Sequence, residues 1–368
     1  MFDRRLLEDF DWVLLLTVVV ISIIGIVSVY SASYSYGTET PYFARQIVWF
    51  LLGLCVMVFV TLIDYRIIQR FSLLFHLAVV TLLVVVLIYG TGGPGSKVHQ
   101  WFNLGFFFMQ PSELVKFTLV LYLAYYFNES RRIGDLGFKD LIWPSVVTIV
   151  PFLLILKQPD YGTAGVLLLV FLPIIYIAGI RYKIILVSLF MGLISIPFVW
   201  IFVLKSYHRD RFSTFMNPEL DPLGKGYQII QSKIAVGSGQ MWGKGYLEGT
   251  QAHLNFLPAR HTDFIFSVFT EEWGFMGGIT LVGLYLFLIL WCLRYVGKSK
   301  ARSGTIITVG VTLILASQIV INIGMVLGLL PVVGMPLPFM SYGGSAMVSN
   351  MIGIGLLLNI RMRRYDVG

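Results

Sequence analysis

The residues best placed to do chemistry are charged groups inside, or at the ends of, long apolar runs. Asp263 closes a polar, glycine-rich block that begins near Lys205, and it follows Arg260 and His261 in Leu257-Pro-Ala-Arg-His-Thr-Asp263 before another apolar run starts. A carboxylate there can serve as a general base, or it can simply favour a helix N-terminus through the helix dipole. Glu113 and Lys116 lie three residues apart in a different apolar run, hence on one helix face. Charge in hydrocarbon costs about 2.5 to 3.5 kcal/mol per residue on insertion scales. The pair therefore either neutralises itself to fix helix packing or lines a polar cavity in which Lys116 contacts an anion.

Lys157 and Asp160 flank the turn Gln158-Pro-Asp160-Tyr-Gly162. Snorkelling accounts for the lysine and helix capping for the aspartate, so a substrate contact is a second reading of both. Glu271 and Glu272 follow Asp263 by eight and nine residues. On a helical wheel they fall about 80° and about 180° from it, so at most one shares its cavity, whereas Ser267 and Thr270 share its face. The glycines of 224–226 and 237–245 read as turns or as backbone amides that approach a phosphate. No Walker, Rossmann or zinc spacing accompanies them.

The elements that position these groups are membrane helices. A mean hydropathy of +0.82, with 57% hydrophobic and 12% charged residues, places the chain among integral membrane proteins. A span needs about 20 apolar residues, and the apolar runs predict ten helices: 12–31, 44–63, 71–89, 111–128, 141–157, 162–179, 183–204, 264–293, 304–329 and 344–360. The expected fold is thus an all-α polytopic domain over 1–368, with one large external loop at about 205–263 between helices seven and eight. The eighth run exceeds a bilayer's need, which predicts tilt, projection or a break near Gly274, Gly277 and Gly278. The first run is too long for a signal-peptide core and is read as an uncleaved helix.

Orientation follows from the short loops. Arg4, Arg5, Arg66, Arg70, Arg131, Arg132, Lys139, Arg181, Lys183, Arg294, Lys298, Lys300, Arg302, Arg361, Arg363 and Arg364 fall on one side, against Arg45 and Lys97 on the other. Both termini are expected to be cytoplasmic, and the long loop external. The formal charge of +8 is then a topology signal and not a nucleic-acid surface. Cys55 and Cys292 lie in apolar runs and read as small hydrophobes. Three irregular segments share the external face: the glycine-rich stretch 90–101 with the amphipathic, interfacial run Phe102 to Met109, the turn at Asp160, and the proline-rich entry to the last helix, 330–344, which contains Ser341.

Five stretches carry a family resemblance. They are Phe108-Met-Gln-Pro-Ser-Glu-Leu-Val-Lys116, Lys157-Gln-Pro-Asp-Tyr-Gly-Thr163, Asp221 to Gly239, Phe256-Leu-Pro-Ala-Arg-His-Thr-Asp-Phe-Ile-Phe266, and Leu330 to Ser345. Together they resemble the SEDS family (shape, elongation, division and sporulation), and Gly245 to Asn255 with Arg260 resembles its rod-shape branch. Ala259 and Trp273 depart from the family's commoner residues at their positions. The resemblance implies ten helices and a peptidoglycan glycosyltransferase of the bacterial plasma (inner) membrane. It further implies polymerisation of lipid II beside a class B penicillin-binding protein and other elongation-complex proteins. The family's catalytic aspartate matches Asp263, and its intramembrane pair matches Glu113 and Lys116. Lys157, Asp160, Arg260 and Ser341 are the further candidates for substrate contact.

The implied reaction suits these residues. An α-linked sugar leaving pyrophosphate with inversion needs one base on the attacking hydroxyl and no carboxylate nucleophile. The leaving group is already ionised and needs charge stabilisation, which Lys116, Arg260 or a divalent cation (Mg or Mn) could supply. Two other readings stand beside it. A lipid II flippase would also use an intramembrane ion pair and broken helices; a scaffold that only recruits its partner would not need Asp263.

Overall fold

The computed structural model describes residues 9–34, 42–92, 99–105, 107–129, 136–184, 186, 187, 190, 194, 214–221, 224–254, 256–297 and 301–364. Among the described residues the regular structure is helical, apart from one short β-ribbon. In order the helices are α1 (Trp12–Ser33), α2 (Tyr42–Leu62), α3 (Tyr65–Arg70), α4 (Ser72–Tyr89), α5 (Pro111–Glu129), α6 (Phe138–Lys157), α7 (Tyr161–Ile177), α8 (Lys225–Ser238), α9 (Thr250–His253), α10 (Ile265–Leu293), α11 (Arg302–Val326) and α12 (Gly344–Met362). Hydrocarbon offers no partner for backbone N–H and C=O groups, so continuous apolar sequence becomes helix.

Seven of these, α1, α2, α4, α6, α10, α11 and α12, are long and apolar enough to cross a membrane. The shorter α7 and the ion-pair-bearing α5 occupy two more of the expected ranges. The remaining expected span, 183–204, lies largely outside the described residues. Most of α11 and α12 is buried within the protein, while α2, α4 and α10 turn most of their residues outward. The centre is therefore a junction of α11 and α12 with α5, flanked by α2 and α7. Where α5, α11 and α12 cross, Gly353 permits close approach: a Cβ there would lie 2.5 Å from the Phe117 ring and 3.1 Å from Val311.

The two ends of the chain meet on one face. Asp11, which caps α1, accepts from Trp291 Nε1 at 2.7 Å and pairs with Arg361, and Arg364 reaches Asp9 at 2.6 Å.

One region departs from the sequence expectations and another meets them. The run Phe102 to Met109 is a β-ribbon, pairing Phe102 with Met109 and Asn103 with Phe108. Its turn uses Gly105 at φ +86°, with Asn103 Oδ1 accepting from the Gly105 N–H at 2.9 Å, so local turn chemistry outweighs the amphipathic pattern. The break expected in the long run falls at Gly274, whose φ of 66° and ψ of −165° interrupt α10. Residues of the segment before α9 take over the freed backbone bonds: Phe275 N donates to Gln240 O at 2.7 Å, Met276 N to Met241 O at 3.1 Å, and Lys244 N to Glu271 O at 3.0 Å. The glycines of 237–245 serve this close approach, since a Cβ at Gly239 would lie 2.1 Å from Thr270 O and one at Gly243 2.0 Å from Glu272 O.

Glu271 locks the same strap. Its fully buried carboxylate accepts from Lys244 Nζ at 2.6 Å, from the Thr250 N–H at 2.8 Å and from the Gln251 N–H at 3.1 Å. Glu271→Ala leaves these donors unmatched and is expected to cost about 3 kcal/mol. Thermal unfolding reads that loss, and limited proteolysis should show new cleavage between residues 240 and 254.

Candidate active site

Four helices begin around one cavity of about 230 Å³. Gln110 precedes α5, Asp160 caps α7, Asp263 lies two residues before α10, and Gly343 precedes α12; all four line the cavity, with Gln100, Trp101, Thr262, Gly334 and Tyr342. Pro111 opens α5 at the position where proline's missing N–H costs nothing. Helix N-termini present unpaired N–H groups and about half a positive charge each, so this arrangement favours an anion such as a phosphate.

Asp263 is held through its backbone. Ala259, at φ +51°, turns the chain so that its carbonyl accepts from Thr262 and Asp263 N–H groups, both at 3.1 Å. The Asp263 carbonyl accepts from Asn322 Nδ2 at 2.9 Å, and the same amide donates to Met335 O at 2.7 Å. The Ser341 hydroxyl donates to Thr262 O at 2.6 Å while accepting from Leu337 N at 2.8 Å. Tyr342 N donates to His261 O at 2.9 Å. The loop before α10 and the proline-rich entry to α12 are thereby stitched together.

The Asp263 carboxylate faces Gly334. A Cβ at Gly334 would lie 3.3 Å from Asp263 Oδ2, and the backbone there has φ +74°. Gly334→Ala should therefore push the carboxylate out of place, lowering turnover at this site by about 10- to 100-fold. A steady-state assay reads this; the loss is expected in kcat more than in KM.

Asp160, which also lines the cavity, is buried. Its Oδ1 accepts from Thr163 N at 3.0 Å, and its Oδ2 accepts from Gln110 Nε2 at 3.3 Å and Ser112 Oγ at 3.4 Å. Burial pushes its carboxyl above the usual range, and the Thr163 bonds partly oppose this. Below it lies the Glu113–Lys116 pair, 2.9 Å apart and fully enclosed, with Ser349 Oγ donating to Glu113 Oε2 at 3.2 Å. Both members of the pair act electrostatically on Asp160.

The remaining candidates fall elsewhere. Arg260 and His261 line an adjoining recess of 340 Å³ with Tyr42, where Arg260 Nε donates to Ala32 O. His261 stacks on Tyr42 at 4.4 Å, and burial, helped by Arg260, pushes it down to about 4, so it is neutral at physiological pH and Arg260 is the cation of that recess. Lys157 is exposed at the end of α6, outside the cavity lining, and Ser341 lies behind the wall. Glu271 and Glu272 point away from Asp263, Glu272 accepting from Ser31. The expected polar stripe is also absent from the cavity: Ser267 meets Ser232 at 2.8 Å and Thr270 bonds Phe266 O, because α10 starts after Asp263 and its Ser267 face packs on α8.

Sequence reasoning passed over Gln110, Asn322, Gly334 and Tyr342. Only Gln110, beside Pro111 at a helix start, carried a local signal.

Comparison with known proteins assigns the chain to a family. A family model described as cell cycle protein, covering FtsW, RodA and SpoVE, matches residues 11–366. The peptidoglycan glycosyltransferase MrdB of Escherichia coli is 37% identical over 354 residues, covering 96% of this chain and 94% of that one. A probable peptidoglycan glycosyltransferase FtsW of Trichlorobacter lovleyi is 39% identical over 364 residues, covering 96% and 93%. A chain in a solved structure concerned with coordination of polymerization and crosslinking by a peptidoglycan synthase complex superposes with a TM-score of 0.82 at 34% identity, covering 97% and 99%. With its family model spanning nearly all of its length, the chain belongs to the FtsW, RodA and SpoVE (SEDS) family of membrane proteins.

Proposed function

We propose that this protein is a peptidoglycan glycosyltransferase that polymerises lipid II on the outer face of the bacterial plasma membrane, with Asp263 as its general base. One observation carries the reading: a carboxylate with an ordered backbone stands on the wall of a cavity ringed by four helix N-termini. The helix ends suit the pyrophosphate, and the carboxylate suits the acceptor hydroxyl.

In the reaction, Asp263 takes the proton of the attacking 4-hydroxyl as its oxygen bonds to the anomeric carbon. The bond to pyrophosphate oxygen breaks on the other face, giving inversion. Developing negative charge is met by the helix N-termini, by Lys116 beneath Asp160 and, from the adjoining recess, by Arg260. A divalent cation would find Asp160 in the same cavity to hold Mg or Mn together with the substrate's phosphates, and the ion would neutralise the leaving group while Asp263 serves the acceptor hydroxyl. Among the described residues no group of three acidic, His or Cys ligands is present. Ser341 supports Thr262 and Asp263 from behind. Lys157, exposed at the end of α6, is proposed as a contact for the substrate beyond the cavity.

The surrounding architecture is read as ten spans with both termini cytoplasmic. The pairing of Asp9 and Asp11 with Arg364 and Arg361 supports an even number of crossings. The branch is read as the rod-shape one, serving elongation, with a class B penicillin-binding protein as crosslinking partner and further elongation-complex proteins alongside. The flippase alternative is separated by one assay, in which purified protein with and without its partner receives labelled lipid II in detergent. Glycan ladders on gels support the transferase; their absence with the partner present favours transport or scaffolding.

A further inference from the structure

The α5–α11–α12 junction beneath the cavity contains amide groups that no described residue satisfies. Gln318 on α11 and Asn350 on α12 are both fully buried, and in each both the amide oxygen and the amide nitrogen are without a hydrogen-bond partner among the described residues. Asn322 Oδ1 is also unmatched, although its Nδ2 is engaged. Buried polar atoms are normally paired, and unpaired amides in hydrocarbon are costly.

Their register is fixed by Gly353, which meets both Phe117 and Val311. From that level each helix steps towards the cavity, and each polar residue stays on the facing side, displaced by three, four, seven or eleven positions. At 1.5 Å per residue Asn350 stands about 4.5 Å above the crossing, Glu113 about 6 Å, Gln318 about 10 Å and Asn322 about 16 Å. The Ser349–Glu113 hydrogen bond agrees with this register. Gln318 is then level with Ala346, which lines the cavity. Successive amides are displaced by about 6 Å along the helix axes, close to two hydrogen bonds in series.

Gln318 and Asn350 each leave a donor and an acceptor unmet, so the partner of each must both accept and donate. Water does so; a bare cation or anion does not. We propose that Gln318 and Asn350 hold a column of ordered water from the cavity floor to the Glu113–Lys116 pair, so that the pair acts on the cavity as a solvated charge. The two amides are positioning residues, and their importance for turnover rests on the glycosyltransferase reading above.

The test has one arm independent of that reading. Radiolytic hydroxyl-radical footprinting of the unmodified protein labels side chains next to bound water. Phe117, at the base of the column, should be labelled at least tenfold faster than Phe127, which is equally enclosed; equal rates overturn the column. In the second arm Gln318→Met with Asn350→Leu should polymerise lipid II about tenfold more slowly while melting no lower than wild type. Unchanged polymerisation overturns the link to turnover. If wild type makes no polymer, the functional reading has failed, and footprinting alone decides the column.

Discussion

Asp263→Asn should make glycan polymerisation fall by about 10²- to 10⁴-fold, the usual worth of a positioned base. The substitution keeps the shape of the side chain and removes its ability to take a proton. Its fold should survive, because Asp263 is positioned chiefly through main-chain bonds to Asn322 and Ala259, which the variant retains. A melting temperature close to wild type and normal capture of the proposed crosslinking partner would show that binding and fold persist. Polymer at wild-type rate from this variant would remove Asp263 from the chemistry.

This prediction rests on a residue that the sequence singled out, yet the reasons it is well placed were only partly legible. Hydropathy located the runs that became α1, α2, α4, α6, α10, α11 and α12, since backbone in hydrocarbon has few alternatives to helix. It also showed that the segments around Asp160, Asp263 and 330–344 share one face. What joins them is long-range: Asn322 reaches Asp263 across 59 positions and Ser341 reaches Thr262 across 79. No local pattern encodes such pairs.

The helical wheel drawn through Asp263 failed for a local reason. Asp263 sits in a turn set by Ala259 at positive φ, so its side-chain direction is not that of α10. The glycines of 237–245 were ambiguous for the opposite reason, because a turn, a phosphate loop and a close backbone approach demand the same residue. Only the position of Gly274 opposite them resolves the choice, and 31 residues separate Gly274 from Gly243.

The second large effect concerns Glu113 and Lys116. Breaking an enclosed ion pair from one side strands the other charge, so Lys116→Met and Glu113→Leu should each destabilise the protein by about 3 to 5 kcal/mol. Those single variants would also lose polymerisation, but unfolding alone would explain it. The double variant, Glu113→Leu with Lys116→Met, separates stability from function, because two apolar side chains of similar size in place of a buried pair are often neutral or stabilising. Its stability should return to within about 1 kcal/mol of wild type. If the pair serves only helix packing, polymerisation returns with it. If Lys116 supplies charge to the pyrophosphate side of the cavity, through Asp160 just above, the refolded double variant stays at least 100-fold impaired. Thermal unfolding and the lipid II assay on the same four proteins give the answer, and the electrostatic contact of both residues with Asp160 leads us to expect the second outcome.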